Sequence, residues 1–560
     1  VSHFWHLLEN CMENGFKKRF VLFSTDQIID EVDILYTENQ QFNSLRNNNL
    51  QANYIIIGPE IYRESAYELL TLRQPAIYAS IEAIYSEFSA GNPDPMAIRS
   101  FAQWTQENWI GPSPNCVLLL GDAGYDYRNL TGNSSIIVPT IQVQSTRPYA
   151  TDDLLFTIYG NIPEIASGRF PAKNPQEVSN FVEKILIMEE NPEFGPWRQK
   201  ITLVADDAAR PEPRHGSIAT GKSHTLNSEQ LAETISSGFL IEKLYMMEYP
   251  EVSDASAYGV IKPDATDALI NSLNSGTAIL SYIGHGSSYQ LAQEKLLYLD
   301  RGDINRINTG KKLPLWIVGT CSFGHFDDPL SESFSEELIR SPLNSASMVI
   351  STSRPITVTG NEKYTQDLFE AIFKNGNVSD DLIGILLQAI KDGSTEGQYF
   401  HLFGDPAMQL PMPKDTLIQI SISPDTMRTL EKGSYAGALQ SNNITNYGYV
   451  NLIDADRNVT RIYEIESETH SISYTLPGAT LFRGQFIFSE ANFSGEIITP
   501  QDISYSNNTG KLIVYIHNDN TDYRGMIDSI YFIGGESTTD QYGPGITFEN
   551  SLGTRLENGD

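Results

Sequence analysis

The chain has 560 residues, 40% hydrophobic and 10% aromatic, a globular composition too long for one core, so several domains are expected. Its 38 basic and 70 acidic residues give a net charge of −32, a surface that repels phosphate backbones and speaks against nucleic-acid binding. Three widely spaced cysteines, Cys11, Cys116 and Cys321, exclude both a disulfide framework and a CxxC metal knuckle.

The chain starts at Val1 with no charged-then-apolar leader, which predicts a piece or mature form of a longer product. Residues 1–50 carry one strand-like run at 20–23 and a polar, Asn-rich connection, and form a partial N-terminal segment. From about 50 to 412, short apolar runs predict strands over 53–57, 116–120, 201–205, 278–283, 315–319 and 347–351. Helical spacing recurs over 175–190, 228–236 and 264–273. Apolar strands separated by helices indicate an α/β fold with a parallel sheet covered on both faces. The boundaries drawn are 51–195 and 196–413 for two sheet subdomains. After Pro413 the texture turns to Thr, Ser, Asn, Gly and alternating runs, as at 511–517 and 529–532, so 414–560 reads as an all-β, sandwich-like module. No apolar run approaches the roughly 18–20 residues of a membrane helix.

Two strand ends carry reactive side chains. In Ser281-Tyr-Ile-Gly-His285-Gly-Ser-Ser a histidine flanked by glycines follows a buried strand. In Leu315-Trp-Ile-Val-Gly-Thr-Cys321 a cysteine does so. The carboxyl edge of a parallel sheet is where open α/β folds place their sites. One crossover separates the two, which predicts neighbouring strands. A thiol of pKa ~8.5 is only partly ionised at neutral pH; an imidazole beside it can take its proton and later protonate a leaving amine. The N–H groups of Cys321 and Gly286 could bind the resulting oxyanion. Cys116, opening an apolar strand, reads as a small buried hydrophobe, and Cys11 has no basic or glycine-rich setting.

Taken in order, Leu120-Gly-Asp-Ala-Gly-Tyr-Asp-Tyr-Arg-Asn129, Ser167-Gly-Arg-Phe-Pro171, Val204-Ala-Asp-Asp207, Ile283-Gly-His-Gly286, Thr320-Cys321 with Phe326-Asp-Asp-Pro329, and Phe403-Gly-Asp-Pro406 resemble the gingipain family of cysteine peptidases. Within that family they look like the signal-peptidase sortases of type IX secretion. Pro500-Gln-Asp-Ile-Ser504 and Asp540-Gln-Tyr-Gly-Pro544 are similar to the β region that follows the peptidase there. The resemblance implies a caspase-like α/β/α peptidase domain of two sheet subdomains, with Cys321 as nucleophile and His285 as base. It also implies an acidic residue behind the histidine, for which Asp207 is chosen over Asp206. Where arginine-specific gingipains carry an acidic specificity residue, this chain reads Lys222-Ser-His224-Thr, so no deep basic-selective pocket is expected.

By the same resemblance the enzyme acts at the outer face of the bacterial outer membrane. It removes the C-terminal secretion signal from exported cargo and passes the acyl group to water or to an amine of lipopolysaccharide, with an outer-membrane β-barrel shuttle protein as partner. No cofactor is required, although Asp327 with Asp328, Asp152 with Asp153, and Asp122 with Asp126 could coordinate structural Ca²⁺. His325 is given no role, and Asp405 is expected to pin a turn. Two alternatives stay open: a secreted gingipain-like protease with no sortase role, and a surface binding module on an inactive peptidase fold.

Overall fold

The computed structural model describes residues 5–9, 20–24, 44–132, 138–207, 218–255, 259–416, 419–439, 444–465, 468–504 and 508–534. Residues 1–44 are a unit of their own, in which the expected strand, Phe20–Ser24, pairs antiparallel with Trp5–Glu9.

The rest of the chain is built on one ten-stranded sheet. Its strands are β1 (Tyr54–Gly58), β2 (Ala76–Ser80), β3 (Cys116–Leu120), β4 (Ala166–Phe170), β5 (Lys200–Ala205), β6 (Leu240–Tyr245), β7 (Ile279–Ile283), β8 (Leu315–Gly319), β9 (Met348–Thr352) and β10 (Phe400–Phe403). In space they run β6-β5-β7-β8-β9-β10-β4-β3-β1-β2. β1, β3, β7, β8 and β9 are buried along their whole length, which is why their sequences are continuous apolar runs rather than alternating ones. The two expected sheet subdomains are thus halves of a single sheet. β5 to β9 are parallel to one another, β10 is antiparallel to β9, and β4 is parallel to β10. Strand direction therefore reverses once, between β9 and β10, and β10 runs with the strands of 51–195 although it comes from 196–413.

Helices pack on both faces, and their starts are chemically marked. Asn174 caps Pro175–Glu189 by accepting from Glu177 N at 3.0 Å, and Pro175 opens the first turn. Ser333 and Glu336 form a capping box on Phe334–Arg340. One apolar core runs beneath the length of the sheet, through Leu118, Phe181, Leu280 and Trp316. A second, around Ile55, Phe101 and Leu119, covers the other face of the first half. Among the described residues no helix is long and apolar enough to cross a membrane.

The expected C-terminal sandwich is present over the described part of 414–560. A sheet containing Asn446–Ile453, Thr480–Phe488, Gly510–His517 and Asp522–Ile533 faces a second made of Gln419–Ser423, Lys432–Ala438 and Asn492–Ile498. Between them lies a separate core that includes Tyr435, Leu452, Phe493 and Val514. Residues 535–560, with the phrase at 540–544, lie outside the described residues. A hairpin of Arg457–Ile465 and Glu468–Leu476 leaves the sandwich. Its Ile472, Tyr474 and Leu476 cover Ala205 and Tyr245 of the peptidase sheet.

Candidate active site

The site lies where β5, β7, β8 and β9 end. Ile283 pairs with Ala205 on one side and with Gly319 on the other. Asp207, His285 and Cys321 therefore each stand two residues beyond one common level of register. Neighbouring strands are about 4.8 Å apart, so the sheet itself delivers the histidine and the cysteine side by side.

Two glycines make the close packing feasible. A Cβ on Gly284 would stand 2.4 Å from the Asp206 side chain, and one on Gly286 would stand 2.6 Å from Thr320 Oγ1. The first lets Asp206 sit under the histidine turn; the second seats that turn against the residue preceding Cys321. Ala292 N donates to His285 O at 2.8 Å, and Gly286 pairs with Leu291. By the alternation of antiparallel ladders, the Gly286 N–H then points away from the hairpin. Among the described residues no acceptor takes the Cys321 N–H.

Cys321 is partly exposed, and its thiol rests 3.8 Å from the Ile356 carbonyl. The loop after it is fixed from β9: Ser322 N donates to Thr352 Oγ1 at 3.1 Å, and Gly324 N donates to Thr352 O at 2.9 Å. Asn361 Nδ2 holds Gly319 O at 2.7 Å. Ser322 adopts φ 57°, the left-handed turn that takes the chain off the strand.

Behind the histidine stand both aspartates. Asp207 is tied to Lys262, 2.7 Å away and itself buried. Asp206 is the carboxylate that meets His285: its Oδ2 accepts the His285 N–H at 2.9 Å, and its Oδ1 accepts the Asp207 N–H at 2.9 Å. One carboxylate oxygen of Asp206 and one ring nitrogen each of His285 and His224 lie within 4.8 Å of one another. His224 is buried and meets His285 edge-on, with ring centroids 5.1 Å apart at 88°. The geometry thus brings an Asp206 oxygen within 4.8 Å of a His285 ring nitrogen, while Asp207 pairs with Lys262.

Glu294, also buried, completes a group of three carboxylates with Asp206 and Asp207. Burial, reinforced by Asp207, pushes Asp206 up to about 7, and burial with both aspartates pushes Glu294 up to about 9. Three carboxylates around one ammonium cannot all be ionised at neutral pH. Sequence reasoning missed His224, Lys262 and Glu294 as neighbours of the site. Lys262 and Glu294 sit among apolar neighbours that give no local signature of a site.

The remaining residues of interest have partners of their own. Cys116 is buried in β3, where burial and Asp405 push its thiol up to about 12, and Cys11 lies outside the described residues. His325 Nε2 is 3.4 Å from Asp327, which is also held by Arg354 at 2.6 Å. Asp405 accepts from Tyr54, Arg73 and Ala407 N, pinning its turn. Of the acidic pairs singled out for Ca²⁺, Asp152 is bidentate to Arg169 and Asp153 pairs with Lys391. Asp126 accepts from Leu130 N and Thr131 N, Asp122 from Ala123 N, and Asp328 from Leu330 N and Ser331.

The model of peptidase family C25 matches residues 47–411. No curated protein sequence matches the chain. Among solved structures, the Arg-specific cysteine proteinase gingipain R (RGPB) is similar at 16% identity and TM-score 0.50, over 88% of this chain and 100% of that one. The complex of Porphyromonas gingivalis RgpB pro- and mature domains is similar at 16% and 0.49, over 84% and 100%. Dimeric latent PorU from Porphyromonas gingivalis is similar at 17% and 0.36, over 88% of this chain and 44% of that one. At such identities the likeness to RGPB is one of fold.

Proposed function

The chain belongs to peptidase family C25, and from that premise we propose that Cys321 is the nucleophile and His285 the general base of a cell-surface cysteine peptidase with sortase activity. The reading rests on one observation, the shared register that brings both residues off adjacent strands at the same level. His285 takes the thiol proton, and the sulfur attacks the scissile carbonyl carbon. The oxyanion forms between the N–H groups of Cys321 and Gly286, each such donor being worth ~2.7–4 kcal/mol. As the C–N bond breaks, the imidazolium returns the proton to the departing amine and an acyl-thioester remains on Cys321. Asp206 anchors the His285 backbone and faces its ring, the position from which a carboxylate steadies an imidazolium.

The thioester can be resolved by water or by an amine, and only the attacking group differs. The substrate we assign is exported cargo bearing a C-terminal secretion signal, with a lipopolysaccharide amine as acceptor and an outer-membrane β-barrel shuttle as partner. The sortase-like phrases along the sequence support this assignment, including 500–504 on the sandwich. The test is to incubate the purified chain with signal-bearing cargo and rising concentrations of a small amine, and to weigh the new C-terminus. Product should shift from acid to amide as the amine increases, and Cys321→Ala should give neither. Equal degradation of unrelated denatured protein would sink the sortase role and leave a general peptidase. Turnover that survives alkylation of Cys321 would sink the nucleophile.

A further inference from the structure

We propose that Asp206, His224 and His285 form a zinc-binding site, and that zinc bound there takes the general base out of action. The three ligand atoms lie within 4.8 Å of one another and come from three elements: the end of β5, the helix Ile218–Thr234 and the turn after β7. Around one tetrahedral zinc, ligand atoms stand roughly 3.3–3.5 Å apart, so modest side-chain rotation closes the triangle. The parts are already held. Asp206 is fixed by two backbone N–H groups, and His224 is buried with its ring edge-on to His285.

The donor set selects the metal. Two imidazoles and one carboxylate suit a borderline ion such as Zn²⁺ and disfavour Ca²⁺ and Mg²⁺, which want oxygen. Three protein ligands leave one tetrahedral position open, the arrangement in which zinc keeps a water molecule. The surroundings favour a dication. Asp207 and Glu294 lie beyond Asp206, and Lys262 pairs with Asp207. A metal on His285 occupies the nitrogen lone pair that general-base catalysis requires.

Zinc binding does not depend on the peptidase reading, whereas inhibition does, so the two are measured separately. Binding is followed by competition with a chromophoric chelator on Cys321→Ala protein, in which the thiol can supply no ligand. One zinc per chain is expected. His224→Gln should weaken it by more than about 10-fold, the lower end of what losing even a supporting residue costs, and millimolar calcium should not displace it. Zinc-edge X-ray absorption on the same protein with His224 intact should show two imidazoles at about 2.0–2.1 Å, a readout that survives if His224→Gln fails to fold. Zinc held equally well by folded His224→Gln, coordination without imidazole, or displacement by calcium would each overturn the site. In the wild-type chain zinc should suppress turnover and a chelator should restore it. Full turnover with the site filled would overturn the inhibitory role alone.

Discussion

Asp206 commits both carboxylate oxygens to backbone N–H groups, while its neighbour Asp207 reaches the other way to a buried lysine. The two should therefore fail differently. Asp206→Asn places an amide NH₂ against one of those N–H donors and removes the charge facing His285. It should lower kcat/KM by more than 10-fold, yet less than His285→Ala, for which ~10²–10⁴-fold is the usual loss of a general base. Asp207→Asn removes the shortest ion pair of buried Lys262, so the urea midpoint should fall more than the rate does. If Asp207→Asn costs rate and Asp206→Asn costs only stability, the roles are reversed. Cys321→Ala should abolish turnover with the melting temperature nearly unchanged, since the side chain is partly exposed at a strand end; Cys116→Ala, wholly inside the core, should lower stability and leave chemistry alone. The placement of Cys321 and His285 at neighbouring strand ends was legible in the sequence because each ends a continuous apolar run and the histidine has glycines on either side. The partners of the two aspartates were not, because Lys262 reaches Asp207 from a distant part of the chain.

The same logic holds for whole elements. All six strands expected in the peptidase region form within a residue of their predicted ends, because their apolar runs have no other use than burial on two faces. Four were missed, and each carries groups that hide the pattern. β4 contains Arg169, buried where Asp152 meets it bidentately and two backbone carbonyls accept from it, and β10 contains His401 beside that pair. β6 is the sheet edge and carries Glu242 and Lys243; β2 is the opposite edge and only half buried at its start. The helix expected over 228–236 begins earlier, at Ile218, since its first turns bury polar groups such as His224 and Thr225. Phe334–Arg340 allows a test at this scale. Its capping residue Glu336 is buried near Asp122 and Glu332, and burial pushes it up to about 8 from an ordinary 4.5. Between those values the folded state holds a proton that the unfolded chain has released, so stability falls as pH rises from about 4.5 to 8. Glu336→Gln removes that term. Its melting temperature should decline less than the wild type's between pH 5 and pH 8, and parallel declines would show that Glu336 does not hold the proton.

At the scale of the molecule, the sandwich is joined to the peptidase sheet by buried polar groups rather than by a linker. Arg198 pairs with Asp522 at 2.5 Å, Gln199 donates to Val514 O, and Arg524 lies 4.7 Å over the Phe239 ring while donating to Pro413 O. Removing one partner strands the other without water. A chain cut after 413 should therefore be insoluble or unfolded. The intact protein should show one calorimetric transition for 45–534, and Asp522→Asn should shift that whole transition; two independent endotherms would show the modules to be separable. The single reversal of the sheet adds a constraint of timing. β10 is last in sequence among the ten strands, yet it sits between β9 and β4. Ser353, just past β9, reaches back to Tyr399 at its entrance. A ribosome delivers Cys321 well before Phe400–Phe403, so on a growing chain the thiol waits beside a sheet with its middle strand missing. The order of synthesis thus acts as a delay, and the peptidase is assembled only after nearly the whole of its own domain has been made.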